Sequence, residues 1–163
     1  MSNKERAVVF LENTKFIYRT NFAGNPDNDK YGNKAHRGNI VIPTEELADE
    51  IRCMGIDVKM TKPREGEEEG FEPVYYMPII INYSSDYARY NPPIVALVVP
   101  GREPEILNED TIGKIDGVYI TNVNASIEIV YLAKYDKYAA YVKKMYVEQD
   151  VDDDPWYDKY HNN

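Results

Sequence analysis

The sequence predicts a mainly β fold, and three observations carry that prediction. Short runs rich in β-branched and aromatic residues recur along the chain, separated by clusters of Gly, Asn, Asp and Pro. Several runs alternate apolar and polar residues at the period of two that a half-buried strand requires. Only one segment, about 44–54, combines helical periodicity with start and stop signals.

The elements follow in order. "RAVVFLENTKFIYRTNF" (6–22) reads as strand, with Phe16, Tyr18 and Phe22 on one parity and Lys15 and Arg19 on the other. "AGNPDNDKYGNKAHRG" (23–38) is a long loop of turn-forming residues, and "NIVIP" (39–43) is a short strand. "TEELADEIRCMG" (44–55) is the main helix: Thr44 caps it, Glu45 and Glu46 suit its positive end, and Gly55 stops it. Its apolar stripe is Leu47, Ile51 and Met54. "DVKMTKPRE" (57–65) is expected to be a strand leading into the acidic turn 65–72. "PVYYMPIIINYS" (73–84) places Tyr75, Met77, Ile79, Ile81 and Tyr83 on one strand face. "SDYARYNPP" reads as loop, and "IVALVV" (94–99), apolar on both faces, as a central strand. A short second helix is expected at about 108–114, followed by a long hairpin, 117–135 and 137–149, around Asp136-Lys137. The pattern stops there, so residues 1–149 form one domain and 150–163 a flexible acidic tail. About seven strands with one good helix fit an all-β barrel or an α+β sheet. An OB-like β-barrel, a small barrel with a helix between strands, is the expected architecture.

Composition excludes several classes. No apolar run approaches the roughly 20 residues of a membrane span. The opening "MSNKERAVVFLENTK" has only a short apolar stretch, so no secretory signal is expected. A single cysteine, Cys53, excludes an internal disulfide and fits a cytoplasmic protein. With His36 and His161 it offers no zinc-binding spacing, and no metal or other cofactor is implied. No nucleophile elbow, Walker loop, dinucleotide-binding turn or H-E-x-x-H motif is found, so the protein is not expected to be an enzyme. The run Glu67-Glu68-Glu69 reads as a solvated turn, and Cys53 as a plain half-buried thiol.

Charge is unevenly placed. The net charge is −9, but residues 148–163 hold six acids and one base, and residues 65–72 hold five acids and no base. Without those two segments 17 acids face 18 bases, a net of +1. The segment 13–43 has five Lys and Arg against two Asp. Fifteen tyrosines stand against one tryptophan, and a tyrosine face can stack while its hydroxyl tolerates water.

Cations interleaved with aromatics suit a non-specific single-strand binder, whose cations track phosphates while its rings stack on bases. The candidate DNA-binding residues are Lys15, Tyr18, Arg19, Phe22, Lys30, Tyr31, Lys34 and Arg37, then Lys62 and Arg64, then Tyr87, Arg89 and Tyr90. Phe16, Tyr18 and Phe22 could equally be core, and Lys15 and Arg19 ordinary surface. Tyr31, Tyr87 and Tyr90 lie in loops with less core to join. Asp152, Asp153, Asp154, Pro155 and Trp156 ("DDDPW") resemble the ending of bacterial single-stranded-DNA-binding proteins, although the chain continues past Trp156. Such a tail would bind partner proteins or compete with DNA for the basic surface.

The segment from "FIYRTNFAGNPDNDKYGNKAHRGNIVIP" through "KMTKPREGEEEGFEPVYYMPIIINY", with "ITNVNASIEI" and "MYVEQD", resembles a family of tailed-phage and prophage single-stranded-DNA-binding proteins. The likeness covers most of 15–150 and places Asn21, Phe22, Gly24, Arg37, Asn39, Lys62, Pro63 and Arg64 on the family pattern. It implies an OB-like core that coats single-stranded DNA in phage replication or recombination within the bacterial host cytoplasm. Replication or recombination proteins would be partners through the tail, with homo-oligomerisation left open and no membrane. The alternatives are a phage interaction or inhibitor module acting through its acidic surface, and an enzyme with a carboxylate site.

Overall fold

The computed structural model describes residues 7–29, 32 and 34–150. Nine strands form one mixed sheet: β1 (Ala7–Thr14), β2 (Phe16–Asn21), β3 (His36–Ile42), β4 (Lys59–Met60), β5 (Tyr75–Ile81), β6 (Ile94–Val98), β7 (Glu105–Leu107), β8 (Ile120–Leu132) and β9 (Lys137–Gln149). The main path is β1-β8-β9-β5-β3-β2, with β4 on β5, and β6 joining β9 to β7. The pairings are antiparallel except β5 with β9 and β6 with β9. The fold is thus mainly β, as the sequence predicts.

The path begins and ends on one stretch of chain. Only Lys15 separates β1, which pairs with β8, from β2, which pairs with β3. Across this switch the Thr14 hydroxyl donates to the Val41 carbonyl (2.6 Å), and the Val41 amide donates to Lys15 O (2.9 Å). The sheet nevertheless does not close into a barrel. β5 and β9 share one pair, Ile80↔Tyr141, and diverge on either side of it. β4 takes the start of the β5 edge, and β6 takes the later part of the β9 edge.

Alternation places one face of each strand in the core. Leu11, Phe22, Ile40, Met77, Ile79, Ile127 and Met145 are all buried there. Val95, Ala96 and Leu97 of β6 are buried in succession, as expected for a strand covered on both faces. The helix α1 (Glu45–Cys53) starts where Thr44 Oγ1 accepts from the Leu47 amide (3.1 Å) and buries Ala48 and Ile51. Gly55 ends it at φ +105, and a Cβ there would lie 2.2 Å from Tyr138 Cδ2. Only glycine therefore fits both the backbone and the hairpin packed on it.

Four elements differ from expectation. A five-residue helix, α2 (Asp86–Tyr90), forms where a loop was expected, because Ser85 Oγ accepts from the Ala88 amide (3.1 Å). The helix expected at 108–114 is a 3-10 segment at Ile112–Gly117, entered through a turn around Asn108. The strand expected at 57–65 pairs only at Lys59–Met60; the Thr61 amide then bonds Val74 O, and the chain projects as an arm with the acidic turn at its tip. β7 is an additional strand, recruited by the β6 edge.

Candidate nucleic-acid interface

The first segment of the site is the turn after β2. The Gly24 amide bonds Asn21 O (3.1 Å), and the Asn21 side chain brackets Asn25 through both its amide groups. Asp116, nearly a hundred residues away, accepts from Phe22 N (2.9 Å), Ala23 N (2.9 Å) and Thr20 Oγ1 (2.7 Å). His36 Nδ1 donates to Phe22 O (2.6 Å). Phe22 itself is fully buried and tilts against Phe16 at 5.1 Å between ring centroids. It is a core residue with no face for a base, which corrects its assignment to the DNA surface. Asn21, Phe22 and Gly24 therefore owe their places to the turn.

Tyr18 follows the opposite course. It shares sequence parity with Phe16 and Phe22, yet it is 61% exposed. The cause is a bulge: Ile17 pairs with Asn39 and Asn21 with Arg37, so β2 spends two more residues than β3 between these pairs. Tyr18 takes φ +62 within it, which turns the ring outward. There it meets Tyr76 edge-on, with centroids 5.3 Å apart. A hydrogen bond with Tyr18, then burial and the charge of Tyr18, hold the Tyr76 phenol above the usual tyrosine range.

The register defines the surface around this pair. The outer side of β3 carries Arg37, Asn39 and Val41, and that of β5 carries Ile80, Pro78 and Tyr76 as their direct partners. Ile17 extends the row from β2, and Lys59 of β4 sits opposite Tyr76. None of these residues is acidic. Arg37 Nε is buried and has no hydrogen-bond partner among the described residues. The ion pairs found among the described residues, Arg52–Asp49 and Lys114–Glu105, involve none of the candidate cations. The outer residues of β3, β4 and β5 thus offer rings and cations and no carboxylate.

The remaining candidates are dispersed. Lys15 and Arg19 are exposed at the β1–β2 switch and in the bulge. Lys34 is exposed, and its carbonyl packs on Gly24, where a Cβ would approach it to 2.6 Å. Lys62 and Arg64 lie exposed on the projecting arm beside Glu65, Glu67, Glu68, Glu69 and Glu72, so their charge is locally offset. Tyr87, Arg89 and Tyr90 are exposed on or beside α2, away from the Tyr18–Tyr76 pair in the sheet register. Lys30, Tyr31 and the tail residues Asp152, Asp153, Asp154, Pro155 and Trp156 lie outside the described residues.

Sequence reasoning missed Tyr76, because its neighbour Tyr75 matched the buried parity. It also missed the β8–β9 hairpin tip. There Tyr135, 61% exposed, has Lys134 Nζ and Lys137 Nζ 5.5 and 5.6 Å from its ring centroid. Tyr131 and Tyr138 lie behind it, 5.0 Å apart, and the Tyr131 hydroxyl donates to Asp136. The run "YLAKYDKY" carries the same interleaving of cations and rings that marked 15–37 and could have been found by that signal.

Among the described residues no His, Cys, Asp or Glu cluster suits a metal ion, and no helix is long and apolar enough to cross a membrane. Exposed rings beside unused cations on a sheet face define a class of nucleic-acid-binding β proteins. The chain matches, over residues 1–162, the family described as "Putative phage ssDNA-binding domain", and it belongs to that family. No curated protein and no solved structure matches it.

Proposed function

We propose that the chain coats single-stranded DNA during phage replication or recombination, through the outer face of β2, β3 and β5, with little sequence preference and no chemistry of its own. The observation that carries this reading is the Tyr18–Tyr76 pair, displayed by a bulge on the side of the sheet that carries Arg37 and Lys59, where the outer residues of β3, β4 and β5 include no acid. Tyr18 and Tyr76 offer flat rings to bases. Arg37 brings a guanidinium charge to this face that can attract a phosphate, and Lys15, Arg19 and Lys59 add charge around it. The strand order, with one kinked strand shared between the two ends of the path, supports reading the sheet as a partly open OB-like arrangement. In such folds the second and third strands and the loops at their ends form the binding face. On that reading those strands correspond to β3 and β5, and the hairpin tip around Tyr135 to one of the loops. The tail segment Asp152–Trp156 is proposed to engage partner proteins. The inhibitor reading needs an acidic contact surface, whereas the outer residues of β3 and β5 include no acid and the densest run of acids, five within 65–72, lies on the projecting arm.

The test is fluorescence anisotropy with oligo(dT), a matched duplex and RNA across a salt series. Four phosphate contacts predict a slope of about −3 in log K against log salt, from roughly −0.7 per contact for single strands. Equal binding to duplex, or binding indifferent to salt, would refute the proposal.

A further inference from the structure

A second feature of the same outer surface is a cleft of about 590 Å³ between β8–β9 and the segment carrying α2. Its floor includes Val130 and Leu132 of β8, and Ala88, Pro92 and Pro93 close it from the other side. One carboxylate, Glu128, lines it at 7% exposure, and Tyr141, Lys143 and Lys144 complete the β9 wall. Asn82, Ser85 and Asn91 add polar groups to this partly apolar lining, and the size is that of a small-ligand site.

The cleft is joined to the proposed DNA face by the sheet itself. Successive register pairs run Arg37↔Ile80, Ile80↔Tyr141 and Tyr141↔Glu128, so these residues form one cross-strand row on one side of the sheet. A strand held at Arg37 thus has a direct path to the cleft along Ile80 and Tyr141. A bulge at the mouth adds to this. Ser126 pairs with Lys144 and Ile127 with Val142, leaving Lys143 without an opposite residue and setting two lysines in succession beside the opening. They are placed to hold the phosphates that flank an inserted nucleotide.

We infer that the cleft takes one unstacked nucleobase from the bound strand and that Glu128 reads its edge; this rests on the single-strand-binding reading above. The chemistry of the carboxylate selects the base. Guanine alone presents two adjacent donors, N1–H and the 2-amino group, which match the two oxygens of one carboxylate. Cytosine and adenine present one amino donor beside a ring acceptor, and thymine one N–H between two carbonyls. A carboxylate has about four acceptor positions, so reading a base does not require Glu128 to be otherwise unpartnered. Binding through Tyr18 and Tyr76 remains indifferent to sequence, and the cleft adds a preference at one position.

The experiment compares oligo(dT) of about 15 nucleotides, a length near the upper site size of such folds, with the same oligomer carrying one central guanine. The backbone charge is identical in the two, so the difference isolates the cleft. The full chain should bind the guanine oligomer at least roughly fivefold tighter, the lower end of what a bidentate pair supplies. Glu128→Gln should abolish that preference while leaving oligo(dT) affinity within about twofold. Val130→Phe, which fills the cleft while keeping the Glu128 carboxylate, should also abolish it and serves where Glu128→Gln fails to fold. Equal affinity of the full chain for both oligomers, with oligo(dT) still bound, overturns the cleft and leaves the coating reading standing. A preference that survives both substitutions also overturns it. Failure to bind either oligomer overturns both readings.

Discussion

Tyr18 occupies a backbone region that disfavours it, and this allows its structural and binding roles to be separated by one substitution, Tyr18→Gly. A residue with a Cβ in the left-handed region costs about 1–2 kcal/mol, which glycine recovers. Against this, glycine loses the edge contact with Tyr76, worth about 0.5–1.5 kcal/mol for an aromatic pair. It also pays about 0.5–1 kcal/mol in unfolded-state freedom. These contributions nearly cancel, so folding stability should stay within about 1 kcal/mol of the parent. Binding has no such compensation. If one base stacks on Tyr18, losing the ring costs about 1–3 kcal/mol, or roughly fivefold to a hundredfold in affinity. The assay is anisotropy with oligo(dT) at fixed salt, alongside thermal melting. Tyr18→Phe, which keeps the ring, should bind within about twofold of the parent. The reasoning fails if Tyr18→Gly binds as tightly as the parent. It also fails if the variant melts far below the parent, because the ring would then be a structural support.

The other predictions probe different parts of the molecule. Phe22→Ala should lose about 3–5 kcal/mol of stability by denaturant unfolding, as a fully buried ring does, and any loss of DNA binding should track unfolding. The Tyr83 hydroxyl is buried with no partner among the described residues, and burial together with the nearby Glu109 charge pushes its phenol up to about 12. The folded state therefore holds this proton longer than the unfolded state, so stability is full below about pH 10 and falls between about pH 10 and 12. Tyr83→Phe should flatten that alkaline fall and raise the melting temperature at neutral pH, and a lower melting temperature would show that the hydroxyl is bonded. Truncation after Gln149 removes five Asp and one Lys, taking the net charge from −9 to −5. It should tighten binding at low salt, with the gain shrinking as salt screens both effects; an unchanged affinity at low salt would exclude competition by the tail.

Much of the fold was legible because burial writes a period into sequence. The hairpin around Asp136, the cap and stripe of α1, and the inward face of β5 all follow from local pattern, and the structure has them where they were expected. What was not legible came from contacts distant in sequence. Sequence parity treats Tyr18 and Phe22 as equivalent, but a bulge sends one ring out while Asp116, distant along the chain, fixes the turn that keeps the other in. The same limit hid Tyr76. Its ring matters because Tyr18 and Lys59 arrive beside it from two other strands, and neither neighbour is encoded near residue 76.

The charge of the protein also reads differently once the strands are placed. A chain of net charge −9 should be repelled by a polyanion at long range, yet the Debye length at physiological salt is about 8 Å. Beyond that distance an acid contributes little at the point of contact. The acids of the arm sit past β4, on a segment projecting from the sheet, whereas the outer residues of β3 and β5 include Arg37 and no acid. On the proposed reading, a phosphate bound at this face would feel Arg37, Lys59, Lys15 and Arg19 more than the sum over the chain. On the same reading the arm would serve selectivity. A flexible single strand can bend along the face and avoid it, but a stiff duplex, with a negative charge every ~1.7 Å of axis, would carry its second strand toward the glutamates. Replacing Glu67, Glu68 and Glu69 with glutamine should therefore raise duplex affinity more than single-strand affinity. An equal gain for both, measured at the same salt, would show that the arm acts only through net charge.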